Sequence, residues 1–161
     1  MNNYTINNKT LAIVPISDNK SKVYENNNVI IVSTSVKNLI EENCRYYGSS
    51  YKGRKQGTSD LIGITHKSPI IIEESSNIIF FPTCSPRLKN CSWISLNNIE
   101  SYKQFHTDSV ITFQNNLTLK IPVSSKIITN QVLRATRLES VYQKRKQKID
   151  TKNTNYEQKS F

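Results

Sequence analysis

The sequence predicts an α+β fold: an antiparallel β-sheet with a short helix before a glycine-rich basic loop and a long C-terminal α-helix. β-Branched residues recur in short runs between Asn-rich turns, which is typical of antiparallel hairpins. Residues 35–47 place apolar side chains three to four positions apart, as one face of a helix requires. Residues 125–149 contain no Gly or Pro, which favours a second, longer helix.

The first third of the chain predicts strands and the short helix. TLAIVPI (10–16) has the composition of a strand, and KVYENNNVIIVST (22–34) that of a hairpin with its turn at 26–28. In SVKNLIEENCRYY, Ser35 is the expected N-cap of a helix of about three turns. Gly48 is expected to end that helix in a left-handed conformation.

Residues 44–58, CRYYGSSYKGRKQGT, combine glycine with positive charge. They hold three of the four glycines in the chain and no acidic residue. Glycine weakens a helix by ~1 kcal/mol per residue, so we expect a flexible loop here. Its expected hinges are Gly48, Gly53 and Gly57. Its basic residues are Arg45, Lys52, Arg54 and Lys55. Such a loop either brings amides and cations to phosphate groups or is a solvated turn, and composition leaves both alternatives open.

The second half of the chain predicts two more hairpins. Residues 68–83 contain two apolar runs around a polar turn, and residues 109–124 alternate apolar and polar positions on both sides of Asn115-Asn116. Between these hairpins, we expect a loop at 84–91 and an extended segment at 93–105.

From Ser124 or Ser125 to about residue 149, we expect one helix with an apolar stripe on one face. The stripe comprises Ile128, Val132 or Gln131, Ala135, Leu138 and Tyr142. It either packs on the sheet or forms a dimer contact, and the sequence leaves both open. We therefore expect a single domain over residues 1–149, followed by a disordered tail at 150–161.

Two segments carry the net charge of +10. One is 44–58, and the other is 126–148, which has seven basic residues and one acidic residue. The other eleven basic residues of the chain are balanced by eleven acidic ones. Two positive blocks on a neutral background favour a polyanionic partner such as nucleic acid. The second block adds the candidate contacts Arg134, Arg137, Lys144 and Arg145.

The sequence contains no motif for catalysis, cofactor binding or metal binding. Neither His66 nor His106 belongs to a nucleophile motif, and no phosphate-binding glycine motif occurs, so we expect neither an enzyme nor a cofactor. Cys44, His66, Cys84 and Cys91 are soft metal ligands, which leaves a structural metal site open. Their long and irregular spacings instead predict free thiols and no metal.

Membrane and export segments are not expected. No apolar run approaches the ~20 residues of a transmembrane helix. Residues 1–10 lack the charged start and the apolar core of a signal peptide. We therefore expect a cytoplasmic protein with reduced cysteines and no membrane partner.

Five segments are distinctive enough to compare with known families. They are CRYYGSSYKGRKQGT (44–58), THKSPIIIEESSNIIFFPT (65–83), CSWIS (91–95), SVITFQNNLTLKIPVS (109–124) and NQVLRATRL (130–138). Together they resemble the competence transcription factor ComK family of Gram-positive bacteria, and the resemblance spans most of residues 30–140. It implies an oligomeric DNA-binding activator of DNA-uptake genes, built from dimers, that recognises AT-rich boxes largely through the minor groove.

The resemblance and the charge distribution together give one functional prediction. We expect AT-rich double-stranded DNA as the partner, with cations of both basic blocks on phosphates and one or more cations of 44–58 in the minor groove. The resemblance also implies a homodimer or larger homo-oligomer, and leaves RNA polymerase or an adaptor–protease system as further partners. Some members end in an apolar segment that such an adaptor recognises, which the residues before Phe161 do not resemble.

Three alternatives stay open. An RNA or single-strand binder would stack bases on Tyr46, Tyr47 and Tyr51, although Tyr47 falls on the apolar face of the expected helix. A non-catalytic regulatory interaction module would bind DNA only weakly. A sensor of a cyclic or phosphorylated ligand would use the glycine-rich segment to hold phosphate.

Overall fold

Nine strands in two sheets and three helices make up the part of the chain that the structure describes. This computed structural model describes residues 4–159, with only the backbone for residue 150 and residues 153–159. The strands of the larger sheet are β1 Thr10–Ser17, β2 Lys20–Glu25, β3 Val29–Val32, β4 Ile70–Glu73, β5 Ile78–Pro82 and β6 Trp93–Ser95. Those of the smaller sheet are β7 Ile99–Phe105, β8 Asp108–Phe113 and β9 Thr118–Ile121. The helices are α1 Val36–Tyr46, α2 Tyr51–Ile62 and α3 Ser125–Lys159.

All neighbouring strands in both sheets are antiparallel, which confirms the predicted α+β class. The larger sheet has the strand order β3-β2-β1-β6-β5-β4, and the smaller sheet has the order β7-β8-β9. A 3₁₀ turn at Leu96–Asn98 lies between β6 and β7 and takes the chain from one sheet to the other. This turn interrupts the segment 93–105, which the sequence predicts as extended.

The two faces of the larger sheet are covered by different elements. On one face, Leu39, Ile40 and Cys44 of α1 join Ile13 and Phe80 of the strands in a buried cluster. On the other face, the smaller sheet and α3 complete a second cluster. Burial of each large apolar side chain contributes about 1.5–3 kcal/mol. The apolar faces that predicted α1 and α3 therefore also hold these helices against the sheet.

The ends of α1 follow the sequence prediction. Ser35 is the N-cap, and its side chain accepts a hydrogen bond from the backbone amide of Asn38. Gly48 has φ +89°, its amide donates to the carbonyl of Arg45, and the amide of Ser49 donates to that of Cys44. These two bonds form a Schellman motif, which satisfies carbonyls left free at the helix end.

The predicted glycine-rich loop is wrong, because residues 51–62 form α2. Ser50 caps this helix by accepting from the amide of Gly53, and the Glu41 carboxylate of α1 accepts from the amide of Tyr51 at 2.6 Å. Thr58 is buried and donates to the carbonyl of Pro69. A cap contributes about 1 kcal/mol, and tertiary packing further outweighs the low propensity of glycine. Gly53 and Gly57 are therefore helical positions and not loop hinges.

α3 is longer than the sequence predicts. Its buried stripe comprises Ile128, Gln131, Ala135 and Leu138, with Val132 and Tyr142 half-buried beside it. The stripe packs against the sheets of its own chain. Of the two alternatives that the sequence left open, the structure therefore supports sheet packing and not a dimer contact. The helix continues past residue 149 to Lys159, while residues 160 and 161 lie outside the described residues. Disorder of 150–161 in solution stays a prediction.

Within residues 4–159, none of the helices combines the length and the apolar composition that crossing a bilayer requires.

Candidate nucleic-acid interface

A groove with basic walls lies between α1, α2 and two connecting segments. It has a volume of about 830 Å³, and Ile40, Tyr51 and Trp93 contribute apolar surface to it. Its cations are Lys37 of α1, Lys55 of α2, Lys67 of the segment after α2 and Arg87 of the loop 84–91. Four separate segments of the chain thus bring positive charge to one concavity.

The acidic residue in this groove is already engaged. Glu41 accepts from Nε of Arg45 at 3.1 Å and from the amide of Tyr51 at 2.6 Å. Its negative charge is therefore used at the N-terminus of α2, where it complements the helix dipole. None of the four groove cations is ion-paired with any residue that the structure describes. The groove consequently presents uncompensated positive charge to solvent.

The groove continues past Arg87 into a second hollow. This hollow has a volume of about 250 Å³, and Lys37, Pro86, Arg87 and Trp93 line it as well as the groove. Lys89 adds a further cation there, but it pairs with Asp18 at 3.0 Å. Arg87 thus stands between the two concavities, at the outer part of an exposed loop.

The four predicted cations of 44–58 lie in different settings. Lys52 and Lys55 are exposed on α2, three positions apart, so they share one side of the helix. Arg45 has a side chain that is 70% exposed, and it pairs with Glu41 one turn earlier on α1. Arg54 is the exception, because its side chain is only 13% exposed.

Arg54 is engaged inside the protein. Its Nη1 donates to Glu74 at 2.7 Å, and its Nη2 donates to the carbonyl of Tyr47 at 3.3 Å. Glu74 lies between β4 and β5 and also accepts from the hydroxyl of Tyr142 on α3. The hydrogen bond from Arg54 is the main reason that the pKa of Glu74 lies below its usual value. Arg54 therefore links α2 to the β4–β5 turn and, through Glu74, to α3.

The predicted cations of α3 adjoin the groove at one end. Arg134 donates to the carbonyl of His66 at 3.2 Å, and Gln131 donates to that of Lys67 at 2.9 Å. The segment that carries Lys67 into the groove is thus fixed to α3. Arg137, Lys144 and Arg145 are exposed further along that helix. The structure therefore brings Arg134 close to the groove and leaves the later cations spread along α3.

Lys37, Lys67 and Arg87 are groove residues that reasoning from the sequence missed. They lie outside both basic blocks, in the part of the sequence whose charges cancel. The one local indication was that Lys37 and Glu41 are four residues apart on α1, which places them on the same side of that helix. Lys67 and Arg87 come together only through the fold.

The tyrosines next to the groove are mostly packed. Tyr47 donates to the carbonyl of Ile6, and Tyr51 lies edge-to-face with Trp93 at 6.1 Å between ring centroids. Burial raises the pKa of Tyr51 to about 12. Tyr46 is 69% exposed, and its ring lies edge-to-face with that of Tyr47 at 5.0 Å between centroids. A platform of three stacking tyrosines is therefore not formed.

The sequence left open a metal site formed by Cys44, His66, Cys84 and Cys91. Cys44 is buried on the inner face of α1, whereas His66 is exposed in the segment after α2. Among the described residues, no three His, Cys, Asp or Glu side chains come together in a way that could hold a metal ion. Sγ of Cys91 lies 3.5 Å from the carbonyl oxygen of Cys84, and the thiols of both residues are free.

Comparison with known proteins agrees with the resemblance in the sequence. The family model described as ComK protein matches residues 1–147. The chain belongs to the ComK family. A competence transcription factor of Bacillus subtilis (strain 168) is 36% identical to this family member over 149 residues, which cover 90% of this chain and 78% of the relative. No solved structure matches the chain. Membership of a family of transcription factors confirms the expectation that this ComK-family chain is not an enzyme.

Proposed function

We propose that this ComK-family protein is a cytoplasmic DNA-binding activator of competence genes, and that the basic groove is its contact with double-stranded DNA. The observation that carries the proposal is the convergence of Lys37, Lys55, Lys67 and Arg87 without a carboxylate partner. Cations of this kind bind DNA by neutralising phosphates and releasing counterions. The name of the relative, a competence transcription factor, supports the regulatory role.

Phosphate contacts would extend from the groove to the helices beside it. Lys52 is exposed on the same side of α2 as Lys55, and Arg134 lies next to the segment that carries Lys67. Such contacts orient the protein on the duplex and do not by themselves read sequence. In this proposal, the remaining phosphate contacts come from Arg45, Arg137, Lys144 and Arg145, whose side chains are exposed.

Recognition of AT-rich DNA through the minor groove requires a projecting cation. Since residues 51–62 form a helix, we assign this role to the loop 84–91 instead of 44–58. Arg87 is exposed there, and its neighbour Leu88 is 54% exposed. An arginine suits the narrow, negative minor groove of A·T tracts, and an apolar side chain beside it can wedge between base steps. Arg87 and Leu88 are thus the proposed minor-groove pair.

Fluorescence anisotropy with labelled nucleic acids tests this reading. The full chain is titrated onto an AT-rich duplex, a GC-rich duplex of equal length and a single strand. We expect the AT-rich duplex to bind most tightly. Arg87→Ala should reduce the preference for AT over GC, whereas Lys9→Ala, an exposed cation outside the groove, should leave it unchanged. Equal binding of both duplexes would refute minor-groove recognition, and tightest binding of the single strand would favour the alternative function.

We propose that the homo-oligomer forms at β3, which is an edge strand of the larger sheet. Val29 and Ile31 lie two residues apart on this strand, so they share a face, and they are 53% and 54% exposed. Antiparallel pairing of β3 with β3 of a second subunit would join the larger sheets of the two subunits. It would bury Val29 and Ile31 of each subunit. RNA polymerase and an adaptor–protease system stay predictions from the family resemblance.

Light scattering during gel filtration tests this dimer surface. Ile31→Lys should shift the protein from dimer to monomer, because each of the two subunits would place a charge in the proposed interface. Leu133→Lys changes an equally apolar residue, 63% exposed on α3, and should leave the dimer intact. Loss of the dimer in Leu133→Lys alone would place the interface on α3.

A further inference from the structure

Two cysteines, Cys84 and Cys91, lie at the base of the loop that carries Arg87. In the antiparallel pairing of β5 with β6, Phe81 lies opposite Ile94 and Pro82 opposite Trp93. The same register, continued by two residues, places Cys84 opposite Cys91. The first pair beyond the strands, Thr83 and Ser92, keeps this register, since the amide of Thr83 donates to the carbonyl of Ser92 at 2.9 Å.

The position of this pair in the ladder favours a bridge. The amide of Thr83 donates to the carbonyl of Ser92, as in a hydrogen-bonded pair of a ladder, and the amide of Ser92 donates to Oγ1 of Thr83 at 3.1 Å. If this alternation continues by one residue, Cys84 and Cys91 form a non-hydrogen-bonded pair. At such sites the two Cα atoms are about 4.5 Å apart and the side chains point together. A disulfide needs Cα atoms roughly 4.4–6.8 Å apart, and the spacing expected for such a pair lies within this range.

The thiol positions agree with this register. Sγ of Cys91 lies 3.5 Å from the carbonyl oxygen of Cys84, and Sγ of Cys84 lies 3.7 Å from the side chain of Asn90, the neighbour of Cys91. Both thiols are free in this structure. We propose that Cys84 and Cys91 are a redox-modification site, at which hydrogen peroxide produces a reversible intramolecular disulfide.

The two cysteines have different parts in the reaction because their exposure differs. Cys84 is half-buried and can meet peroxide, whereas Cys91 is 3% exposed and burial raises its pKa to about 12. The Cys84 thiolate attacks one peroxide oxygen; the S–O bond forms, the O–O bond breaks, and hydroxide leaves as water after taking a proton. The Cys91 sulfur then attacks the sulfenic sulfur of Cys84, the S–S bond forms, and the hydroxyl group leaves with the Cys91 proton as a second water.

The reaction is balanced and reversible. Two thiols lose two hydrogens to one hydrogen peroxide, which becomes two waters, and a dithiol reductant returns both thiols. The bridge closes a short loop containing Arg87, Leu88 and Lys89. This inference goes beyond the proposed function, because the disulfide can form whether or not DNA binds to the loop.

Peptide mapping tests the proposal on the full chain. The reduced protein is treated with hydrogen peroxide, remaining thiols are alkylated, and trypsin cleaves after Lys67, Arg87, Lys89 and Lys103. These cuts place Cys84 in peptide 68–87 and Cys91 in peptide 90–103, so only a disulfide holds the two peptides together. We expect the linked pair after oxidation and its loss on treatment with dithiothreitol. Separate alkylated peptides, Cys84 held as sulfinic acid, or a link through Cys44 would overturn the proposal.

A thermal readout checks that the bridge is formed in the folded protein. Closing a loop of this length should raise Tm by about 5 °C in a chain of this size. Cys44→Ser, which removes the thiol outside the pair, should still show the peroxide-dependent shift. Cys84→Ser should show neither the shift nor the linked peptides. An equal shift in Cys84→Ser would contradict a bridge between these two residues.

Discussion

At the scale of single residues, Arg54 belongs to a basic segment of the sequence, but in the folded protein its side chain stabilises the packing of α2. Its guanidinium joins Glu74 and the carbonyl of Tyr47, and its Nε is buried without a hydrogen-bond partner among the described residues. The neighbouring Lys52 is exposed to solvent. In the proposed interface, Arg54 therefore positions α2, and Lys52 contacts phosphate.

Substitution of Arg54 separates these two roles. Arg54→Ala should lower the free energy of unfolding by about 1–2 kcal/mol, because a mostly buried hydrogen-bonded side chain is lost. Lys52→Ala, two positions away on the exposed side, should change stability by less than about 0.5 kcal/mol and should weaken DNA binding. Urea denaturation measures the stability of both variants. An Arg54→Ala protein of unchanged stability would contradict the structural role of this residue.

The pair of Arg54 and Glu74 also makes stability depend on pH. Because Arg54 holds the pKa of Glu74 below its usual value of 4.5, the stabilisation is complete above that value. It is lost as the pH falls further, through the lowered pKa of the folded state. Denaturation curves between about pH 6 and pH 3 should therefore show a smaller acid-induced loss of stability in Glu74→Gln than in the wild type. Glu100→Gln, an exposed carboxylate on β7, serves as the control, and equal losses in all three proteins would exclude this linkage.

At the scale of elements, α2 marks the limit of prediction from local sequence. The patterns of α1, the hairpins and α3 lie in contiguous residues, so the apolar spacing and caps were sufficient to predict them. In α2, Gly53 and Gly57 oppose a helix, and the groups that favour it include Glu41 and Pro69, which lie outside the helix, in or next to other elements. Their contacts exist only once α1 and β4 have packed.

The two helical glycines give a matched test of this explanation. A Cβ added to Gly57 meets nothing within 4 Å, so Gly57→Ala should stabilise the protein by about 1 kcal/mol. A Cβ on Gly53 would lie 2.8 Å from Oγ of Ser49 and 3.1 Å from Oγ of the capping Ser50. Gly53→Ala should therefore gain less or lose stability in urea denaturation. Equal gains in both variants would show that the cap of α2 does not matter.

At the scale of the whole molecule, the candidate interface is formed by cations that folding brings together from separate segments, and only partly by the two basic segments of the sequence. Counting charges along the sequence pointed to 44–58 and 126–148, which include Lys55 and Arg134. It could not find Lys67 or Arg87, because acidic residues balance them in the sequence but do not pair with them in the described structure. Loops that bring distant residues together leave no periodic pattern, so the groove could not be predicted.

The salt dependence of DNA affinity is the most direct test of the groove. Anisotropy titrations on an AT-rich duplex over a series of salt concentrations give the slope of log K against log salt, which reports the number of phosphates neutralised. The triple variant Lys37→Gln, Lys55→Gln and Lys67→Gln should bind more weakly, with a slope shallower by about 3 than that of the wild type. A triple change of Lys9, Lys20 and Lys103 to Gln, all exposed and outside the groove, is the control and should keep the wild-type slope. An unchanged slope and affinity in the groove variant, with its fold intact, would contradict the proposal that this surface holds DNA.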